Sequence, residues 1–306
     1  MFFFLSSKPT FQSFNMAYSI AWLNLCLTSF YIPSLAFAKE CRCFPGDACW
    51  PSPSAWAALN YSINGRLIAT SPLASPCHGP DFNAALCSNV RKSWLLPQTH
   101  YVSSSSVMAP FYAGNSCIPF TPESMPCTLG NYIDYAINVT EPADISKGMA
   151  FATKNNIRLV IRNTGHDYNG KSTGAGALGI WTHNLKSIRF FDYHGPTYTG
   201  KAIKMGAGVQ GFEAVDAGNK VGLTVTGGEC PTVGLAGGYT QGGGHSALAS
   251  KYGLAADQTL EWEVITGLGE FIKASPTENS DLYCTYFSSN IFFLYRYYLL
   301  VAKQLF

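Results

Sequence analysis

The chain has 306 residues, of which 47% are hydrophobic and 12% are charged, and its formal net charge is +2 at pH 7. This composition excludes an intrinsically disordered chain, which is poor in apolar residues, and a nucleic-acid binder, which needs a strongly basic surface. The length is enough for two domains, or for one large domain with a packed core. Beyond the N-terminus, no apolar stretch is long enough to span a membrane, so we expect no membrane protein.

The first 38 residues have the features of a cleaved signal peptide. Residues 19–38 are mostly apolar and end in Ala36-Phe37-Ala38, the small-x-small pattern that signal peptidase accepts. Pro33 and several polar residues interrupt the segment, which makes it a poor membrane span. We therefore expect cleavage after Ala38 and secretion of the mature chain; an uncleaved anchor is the alternative.

Cysteines are concentrated in residues 39–130, which hold seven of the ten in the chain. In a secreted protein this cluster predicts a disulfide framework, although the spacing does not reveal the pairing. A zinc site is disfavoured, because the cluster has no Cys-x-x-Cys pair and no histidines at zinc-finger spacing. The sequons at residues 60–62 and 138–140 predict N-glycosylation in the same compartment.

Residues 131–283 alternate between helix and strand patterns. Pro142 starts a helical repeat of apolar residues, and a second helix is predicted at 209–219. The predicted strands are 157–162, 177–182, 202–205, 221–226 and a half-exposed strand in which Leu260, Trp262 and Val264 alternate with glutamates. These patterns predict an α+β domain.

Two glycine-rich matches to phosphate-binding loops occur between residues 165 and 179. Residues 165–172 have the G-x-x-x-x-G-K-[ST] spacing of a nucleotide triphosphate loop, but that loop needs a helix directly after Ser172, and the glycines that follow form helices poorly. Residues 174–179 match G-x-G-x-x-G without opening a helix. The segment instead predicts tight turns that bring backbone close to an anionic ligand.

Residues 227–244 include eight glycines, too many for a regular helix or strand, together with the sequence Cys230-Pro-Thr-Val-Gly. Spacing alone favours Cys230 as one half of a disulfide. However, the chain resembles the FAD-linked oxidases similar to berberine bridge enzyme. Four segments carry the resemblance: this motif, Gly242-Gly-Gly-His245, Ile161-Arg-Asn-Thr-Gly-His166-Asp-Tyr and Cys-Arg-Cys-Phe-Pro-Gly-Asp47. These oxidases belong to the vanillyl-alcohol oxidase superfamily with a PCMH-type FAD-binding domain. The resemblance covers about residues 40–283 and is strongest to the secreted fungal-type branch.

The resemblance implies a covalently bound FAD. In that family the matching histidine is attached to the flavin 8α methyl group and the matching cysteine to ring carbon 6, which here are His166 and Cys230. Backbone N–H groups at 163–167 are expected to bind the pyrophosphate. No metal site is expected, and no catalytic base is assigned. The residues expected to bind FAD are Arg162, Asn163, Thr164, Gly165, His166, Asp167, Ser172, Cys230, Thr232, Val233, Gly234, Gly238, Tyr239, Gly242, Gly243, Gly244, His245 and Asp257.

The implied function is that of a secreted, monomeric FAD-dependent oxidase. Such an enzyme takes a hydride from an alcohol, a sugar or a secondary metabolite and then reacts with molecular oxygen, without nucleic-acid or membrane partners. Residues 284–306 depart from the family pattern, so we expect a C-terminally truncated chain with an anomalous tail and no substrate domain. The alternatives are an inactive flavin-binding fragment and a disulfide-rich secreted binding protein without a cofactor. His183 and His194 are expected to be ordinary solvated side chains.

Overall fold

The computed structural model describes residues 41–288 and the backbone of residues 299–303. From Arg42 onward the described residues belong to one structural unit. The predicted signal peptide and most of the anomalous tail lie outside the described residues.

Four strands form the first sheet, in the order β1-β2-β4-β3. β2, β4 and β3 are parallel, and β1 is antiparallel to β2 at the edge. Every residue of β4 is buried, as expected for the central strand of a parallel sheet. The strands are β1 (Leu67–Ala69), β2 (Tyr135–Asn138), β3 (Arg158–Arg162) and β4 (Ala177–Trp181).

The second sheet has five antiparallel strands in the order β5-β6-β9-β7-β8. Its strands are β5 (Ile188–His194), β6 (Thr199–Gly206), β7 (Thr259–Ile265), β8 (Phe271–Ala274) and β9 (Leu299–Lys303). The two sheets and the helices around them confirm the predicted α+β class.

Helices connect and cover the sheets. The longest described helix, α4, has 13 residues, and no helix within the described ranges has both the length and the apolar character of a membrane span. The helices are α1 (Pro53–Ser62), α2 (Ala84–Ser93), α3 (Pro97–Tyr101), α4 (Pro142–Lys154), α5 (Gly211–Asn219), α6 (Ala249–Tyr252), α7 (Ala255–Gln258) and α8 (Ser280–Ser288). Short 3-10 turns occur at Ser75–Cys77, Gly79–Asp81 and Pro110–Ala113, and a π turn occurs at Leu235–Tyr239.

Helix α4 begins at Pro142, as the sequence predicts, and lies directly against the first sheet. Its N-terminus is fixed by the buried carboxylate of Asp144, which accepts the backbone N–H groups of Thr140 and Glu141 and pairs with Arg66. A Cβ atom at Gly148 would lie only 2.6 Å from the Cδ1 atom of Ile137 in β2. Glycine therefore allows the helix to approach the sheet this closely.

One continuous apolar core joins the elements. It includes side chains from the first sheet, α4 and the second sheet, among them Ile137, Ile145, Ile203 and Trp262, all essentially without solvent exposure. Removing so much apolar surface from water is the main favourable contribution to folding.

Two of the predicted strands need correction. β7 is not half-exposed: six of its seven residues are buried. Its glutamates are tolerated there because each forms an ion pair with a lysine of another strand of the sheet, Glu261 with Lys273 of the adjacent β8 at 2.7 Å and Glu263 with Lys204 of β6 at 2.5 Å. Residues 221–226 do not form one of the strands: residues 221 and 222 are a turn that closes α5, in which the Leu223 N–H binds the Gly218 carbonyl, and of the six residues Thr224 takes part in a single β-bridge.

The predicted disulfide framework is confirmed. Its bonds are Cys43–Cys49, Cys77–Cys87 and Cys117–Cys127. The bonded cysteines are separated in sequence by 6, 10 and 10 positions, respectively. Cys230 belongs to none of these disulfides and is an exposed free thiol, so the assignment based on spacing alone was wrong.

Asp144→Ala should lower the free energy of unfolding by about 3 kcal/mol, because it leaves backbone donors and the Arg66 guanidinium without their buried acceptor. Urea denaturation of both variants would measure the difference. The matched control is Asp192→Ala, which removes an exposed ion pair with Lys201 and should change stability very little. Equal effects of the two substitutions would contradict this role of Asp144.

Candidate functional site

The first part of the site is the loop that follows β3. Its backbone is organised by Asp167, whose carboxylate accepts the N–H groups of Asn169, Lys171 and Ser172, each at 2.9 Å. Burial raises the pKa of Asp167, but hydrogen bonds from Ser172 and from these N–H groups outweigh it, so that the pKa lies below its usual value. Gly165 supplies a left-handed conformation with φ of +79°. No helix follows Ser172, which agrees with the rejection of a nucleotide triphosphate loop.

Arg162, the last residue of β3, fixes the base of this loop. Its side chain is 1% exposed and donates to the backbone carbonyls of His100, Ser103 and Ser106. The structure thus places the guanidinium of this predicted FAD-binding residue against the 100–106 segment. A buried positive charge needs such acceptors, because desolvation of an unpaired ion is very unfavourable.

The second part is the segment 230–235, which pairs with the residues before and at the start of α5. Backbone hydrogen bonds run from Gly211 to Val233 and from Phe212 to Pro231, both at 2.9 Å, and from Leu235 to Val209 at 3.0 Å. These contacts fix the Cys-Pro-Thr-Val-Gly motif on the rest of the fold, with a turn at residues 231–232 in which the Val233 N–H donates to the Cys230 carbonyl at 3.3 Å.

The amide of Gln210 adds a side-chain contact to this pairing. It is 1% exposed and donates from Nε2 to the carbonyl of Thr232 at 2.8 Å. Its Oε1 accepts from Lys186, which also pairs with Glu213 in α5.

The two parts meet at His166, Thr232 and Cys230. The His166 Nε2 lies 2.8 Å from the Thr232 hydroxyl oxygen and 4.0 Å from the Cys230 sulfur, and the same hydroxyl lies 3.5 Å from that sulfur. Burial lowers the pKa of His166, as do the nearby charges of Arg162 and His100, so its imidazole is neutral at pH 7. The structure therefore brings together a neutral imidazole and a free thiol that are 64 residues apart in sequence.

Asn163 and Gly234 make the closest contact between the two parts. The Asn163 amide donates from Nδ2 to the Ala207 carbonyl at 2.8 Å, and a Cβ atom at Gly234 would lie 2.0 Å from that nitrogen. The Oδ1 atom of Asn163 is buried and has no hydrogen-bond partner in the described part of the chain. Only glycine fits opposite this side chain.

Backbone donors are also unused in the loop. Within residues 41–288, the N–H groups of Gly165, His166 and Asp167 form no hydrogen bond. Consecutive unpaired N–H groups in such a turn favour an anionic ligand.

The remaining predicted residues form a second group around the π turn. The Tyr239 hydroxyl donates to the His245 carbonyl at 2.9 Å, and the Gly243 and Gly244 carbonyls accept from Ala256 and Ala255. Asp257 is exposed, and its carboxylate accepts the Leu254 N–H at 2.7 Å. Its recorded contact is thus within its own turn. Gly238 and Gly242 are joined by a backbone hydrogen bond of 2.9 Å, and within the described ranges no hydrogen bond links this group to His166.

His183 differs from its expected environment. It is not solvated but buried, between the rings of Tyr101 and Trp181. Burial, together with the charges of Lys186 and Arg162, lowers the pKa of His183 to about 4. His194 is exposed, as expected.

Sequence reasoning missed Gln210 and the 100–106 segment. The Gln-x-x-Glu spacing of Gln210 and Glu213 resembles a helix-start signal, and the Gln210 N–H does donate to the Glu213 carboxylate at 2.8 Å. No local pattern announces the carbonyls that bind Arg162, because they come from residues about 60 positions away.

Comparison with known proteins identifies the domain that carries this site. Residues 133–275 match the family model described as an FAD binding domain. The segment is an FAD-binding domain. The crystal structure of the VAO-type flavoprotein MtVAO615 from Myceliophthora thermophila C1 superimposes on this chain with a TM-score of 0.83 at 49% identity, covering 87% of this chain and 49% of that chain.

Two curated relatives of this FAD-binding domain come from fungi. FAD-linked oxidoreductase ZEB1 of Gibberella zeae is 58% identical over 246 residues, covering 80% of this chain and 44% of that protein. FAD-linked oxidoreductase patO of Penicillium expansum is 54% identical over 261 residues, which cover 85% of this chain and 46% of that protein. The resemblance to FAD-linked oxidases is confirmed. The chain spans about half the length of the curated relatives it matches.

Gly234→Ala should lower the free energy of unfolding by about 1–3 kcal/mol, since its Cβ would displace the Asn163 amide from a packed position. Chemical denaturation of the chain would measure the change. Gly238→Ala is the matched control, because a Cβ there meets nothing within 4 Å. A larger loss of stability in the Gly238 variant would contradict the predicted close contact.

Protonation of His183 should destabilise the fold in acid. Its pKa is lower in the folded chain than the ordinary value of 6.5, so the unfolded chain binds the proton more tightly, and stability falls as the pH falls from 6.5 toward about 4. His183→Phe should make this fall shallower. Chemical denaturation across this pH range measures how steeply the free energy of unfolding falls with pH. The exposed His194→Phe variant is the control and should keep the wild-type dependence. If the His183→Phe variant also keeps it, His183 does not contribute to the loss of stability in acid.

Proposed function

We propose that this domain binds FAD covalently through both His166 and Cys230, and that it serves a FAD-dependent oxidase acting on a small organic molecule. The observation that carries the proposal is the 4.0 Å distance between the His166 Nε2 and the Cys230 sulfur. Both are nucleophiles suited to an electron-poor ring, and neither is engaged in a disulfide or an ion pair within the described residues.

Other parts of the site suit the remaining parts of FAD. The unpaired N–H groups of Gly165, His166 and Asp167 suit its negatively charged pyrophosphate. The unpartnered Asn163 Oδ1 offers an acceptor beside the same loop. Gly237 and Gly238 leave open space where side chains would otherwise stand, so that backbone can approach a flat ring.

When bound, FAD supplies a two-electron acceptor that molecular oxygen reoxidises. The chain's own contribution is to hold the ring system at two points and to keep the His166 imidazole neutral. Alcohols, sugars and secondary metabolites are the substrate classes we propose. The family match disfavours the alternative of a cofactor-free binding protein.

We also propose that the protein is secreted and acts as a monomer. Three disulfides in the N-terminal region support an oxidising compartment, because cytosolic proteins rarely keep such bonds.

Covalent attachment can be tested on the chain expressed in a secretory eukaryotic host. After acid precipitation the flavin colour should stay with the pellet, and mass spectrometry should find flavin on the peptides containing His166 and Cys230. His166→Ala and Cys230→Ala should each keep one attachment, and the double variant should release all flavin. The exposed His194→Ala variant is the matched control and should keep both attachments. Release of all flavin from the wild-type chain by acid would overturn the proposal.

A further inference from the structure

We infer that Thr232 is a positioning residue for flavin attachment, whose hydroxyl group prepares the imidazole of His166 and the thiol of Cys230 together. This inference rests on the proposed covalent function. Its basis is the place of the Thr232 side chain, which is 5% exposed and lies between the two nucleophiles, 2.8 Å from Nε2 and 3.5 Å from sulfur.

A hydroxyl group has one hydrogen to donate and can accept other hydrogen bonds. If the Thr232 hydroxyl donates to Cys230, it must accept from His166, and if it donates to His166, it must accept from Cys230. In one arrangement the His166 Nε2–H donates to the Thr232 oxygen, and the Thr232 O–H points to the Cys230 sulfur. This arrangement places the imidazole lone pair on Nδ1 and stabilises negative charge on sulfur. The opposite arrangement puts a proton on Nδ1 and makes the thiol a donor, which leaves neither atom nucleophilic.

The surroundings of His166 favour the first arrangement. Its imidazole is neutral, because burial and the charge of Arg162 disfavour the imidazolium form. Nδ1 forms no hydrogen bond with any residue of the described chain, whereas Nε2 is engaged by Thr232. With Nε2 held, Nδ1 is the nitrogen that can reach a ligand.

Thr232 keeps this position because its backbone is fixed from the other side. Its carbonyl accepts from the buried Gln210 amide, and the neighbouring carbonyls of Pro231 and Val233 accept from the first residues of α5. The backbone that carries the hydroxyl is therefore held by contacts that do not involve the side chain of either nucleophile.

Thr232 assists two attachment reactions, one at each nucleophile, and each replaces a C–H bond of the flavin. At His166, a C–N bond from Nδ1 would replace a C–H bond of the 8α methyl group, and the methyl hydrogen and the Nε2 hydrogen would both leave as protons. At Cys230, a C–S bond would replace the C–H bond of ring carbon 6, and the ring hydrogen and the thiol hydrogen would both leave as protons. Each attachment leaves two electrons on the isoalloxazine ring, and molecular oxygen accepts them with two protons to give hydrogen peroxide.

The test compares Thr232→Val, which keeps the side-chain volume but removes the hydroxyl, with Thr232→Ser, which restores it. We expect the valine variant to attach flavin at least about tenfold more slowly at both residues when FAD is added to flavin-free chain, and the serine variant to remain within about threefold of wild type. Peptide mass spectrometry over time gives both rates. A merely structural role would slow the serine and valine variants alike.

A second measurement needs no flavin. In the flavin-free wild-type chain, ¹⁵N NMR of the His166 ring should show the proton on Nε2, and iodoacetamide should alkylate Cys230 about three- to tenfold faster than in the valine variant. A proton on Nδ1 in the wild type, or equal alkylation rates in folded wild type and valine variant, would overturn the inference. If the wild-type chain never attaches flavin although these results hold, then the proposed function fails and the role of Thr232 in preparing the two side chains stands.

Discussion

The pairing of residues 230–235 with the start of α5 is the interaction on which the site depends. Without it, a glycine-rich segment would have no regular structure to fix its path. Because Gly211 and Phe212 are at the beginning of a helix, their N–H groups have no partner inside the helix. They bind instead to Val233 and Pro231, so one set of hydrogen bonds both completes the helix and places the motif. The buried Gln210 amide makes the same pairing specific in register.

The opposite half of the site depends on a different constraint. The loop after β3 is held by two sets of hydrogen bonds: Asp167 binds N–H groups of the loop itself, and Arg162 binds carbonyls of the 100–106 segment. Neither set uses the imidazole of His166. The carboxylate shapes the backbone, and the guanidinium ties the end of β3 to the 100–106 segment. His166 is thus presented by a loop with its own backbone contacts, while its Nδ1 stays available. Such preorganisation is what the proposed covalent attachment requires, since the reacting atoms must be held close to their productive positions.

Local patterns were sufficient to predict much of the fold and some of the site. The helical repeat after Pro142 and the apolar runs of β3 and β4 depend on nearby residues, and the structure has these elements close to their predicted limits. Residues 221–226 have strand-like composition, but the hydrogen bond from Leu223 to Gly218 folds the start of the segment into a turn and leaves only a single β-bridge at Thr224. Glu261 and Glu263 suggested a solvated face, whereas lysines from other strands neutralise them inside the sheet.

The same distinction applies to the site. Its motifs are visible in the sequence, but the role of Gln210 and the carbonyl partners of Arg162 depend on long-range contacts that no local spacing encodes. The meeting of His166 with Cys230 is also long-range, and there the family resemblance singled out the two residues, which periodicity could not do. His183 looked like a surface residue because nothing nearby in sequence shows that Tyr101 packs on its ring.

The buried guanidinium of Arg162 also has an electrostatic consequence at a distance. No carboxylate among the described residues is ion-paired with it. Its hydrogen-bond acceptors are backbone carbonyls, so a positive potential extends into the surrounding interior. Desolvation by burial is the largest cause of the lowered pKa values of His100, His166 and His183, and the charge of Arg162 lowers all three pKa values further. In a medium of low dielectric constant the positive potential reaches farther than it would in water. The interior beneath the loop therefore repels added protons and attracts anions, which agrees with the proposed binding of the FAD pyrophosphate at this loop.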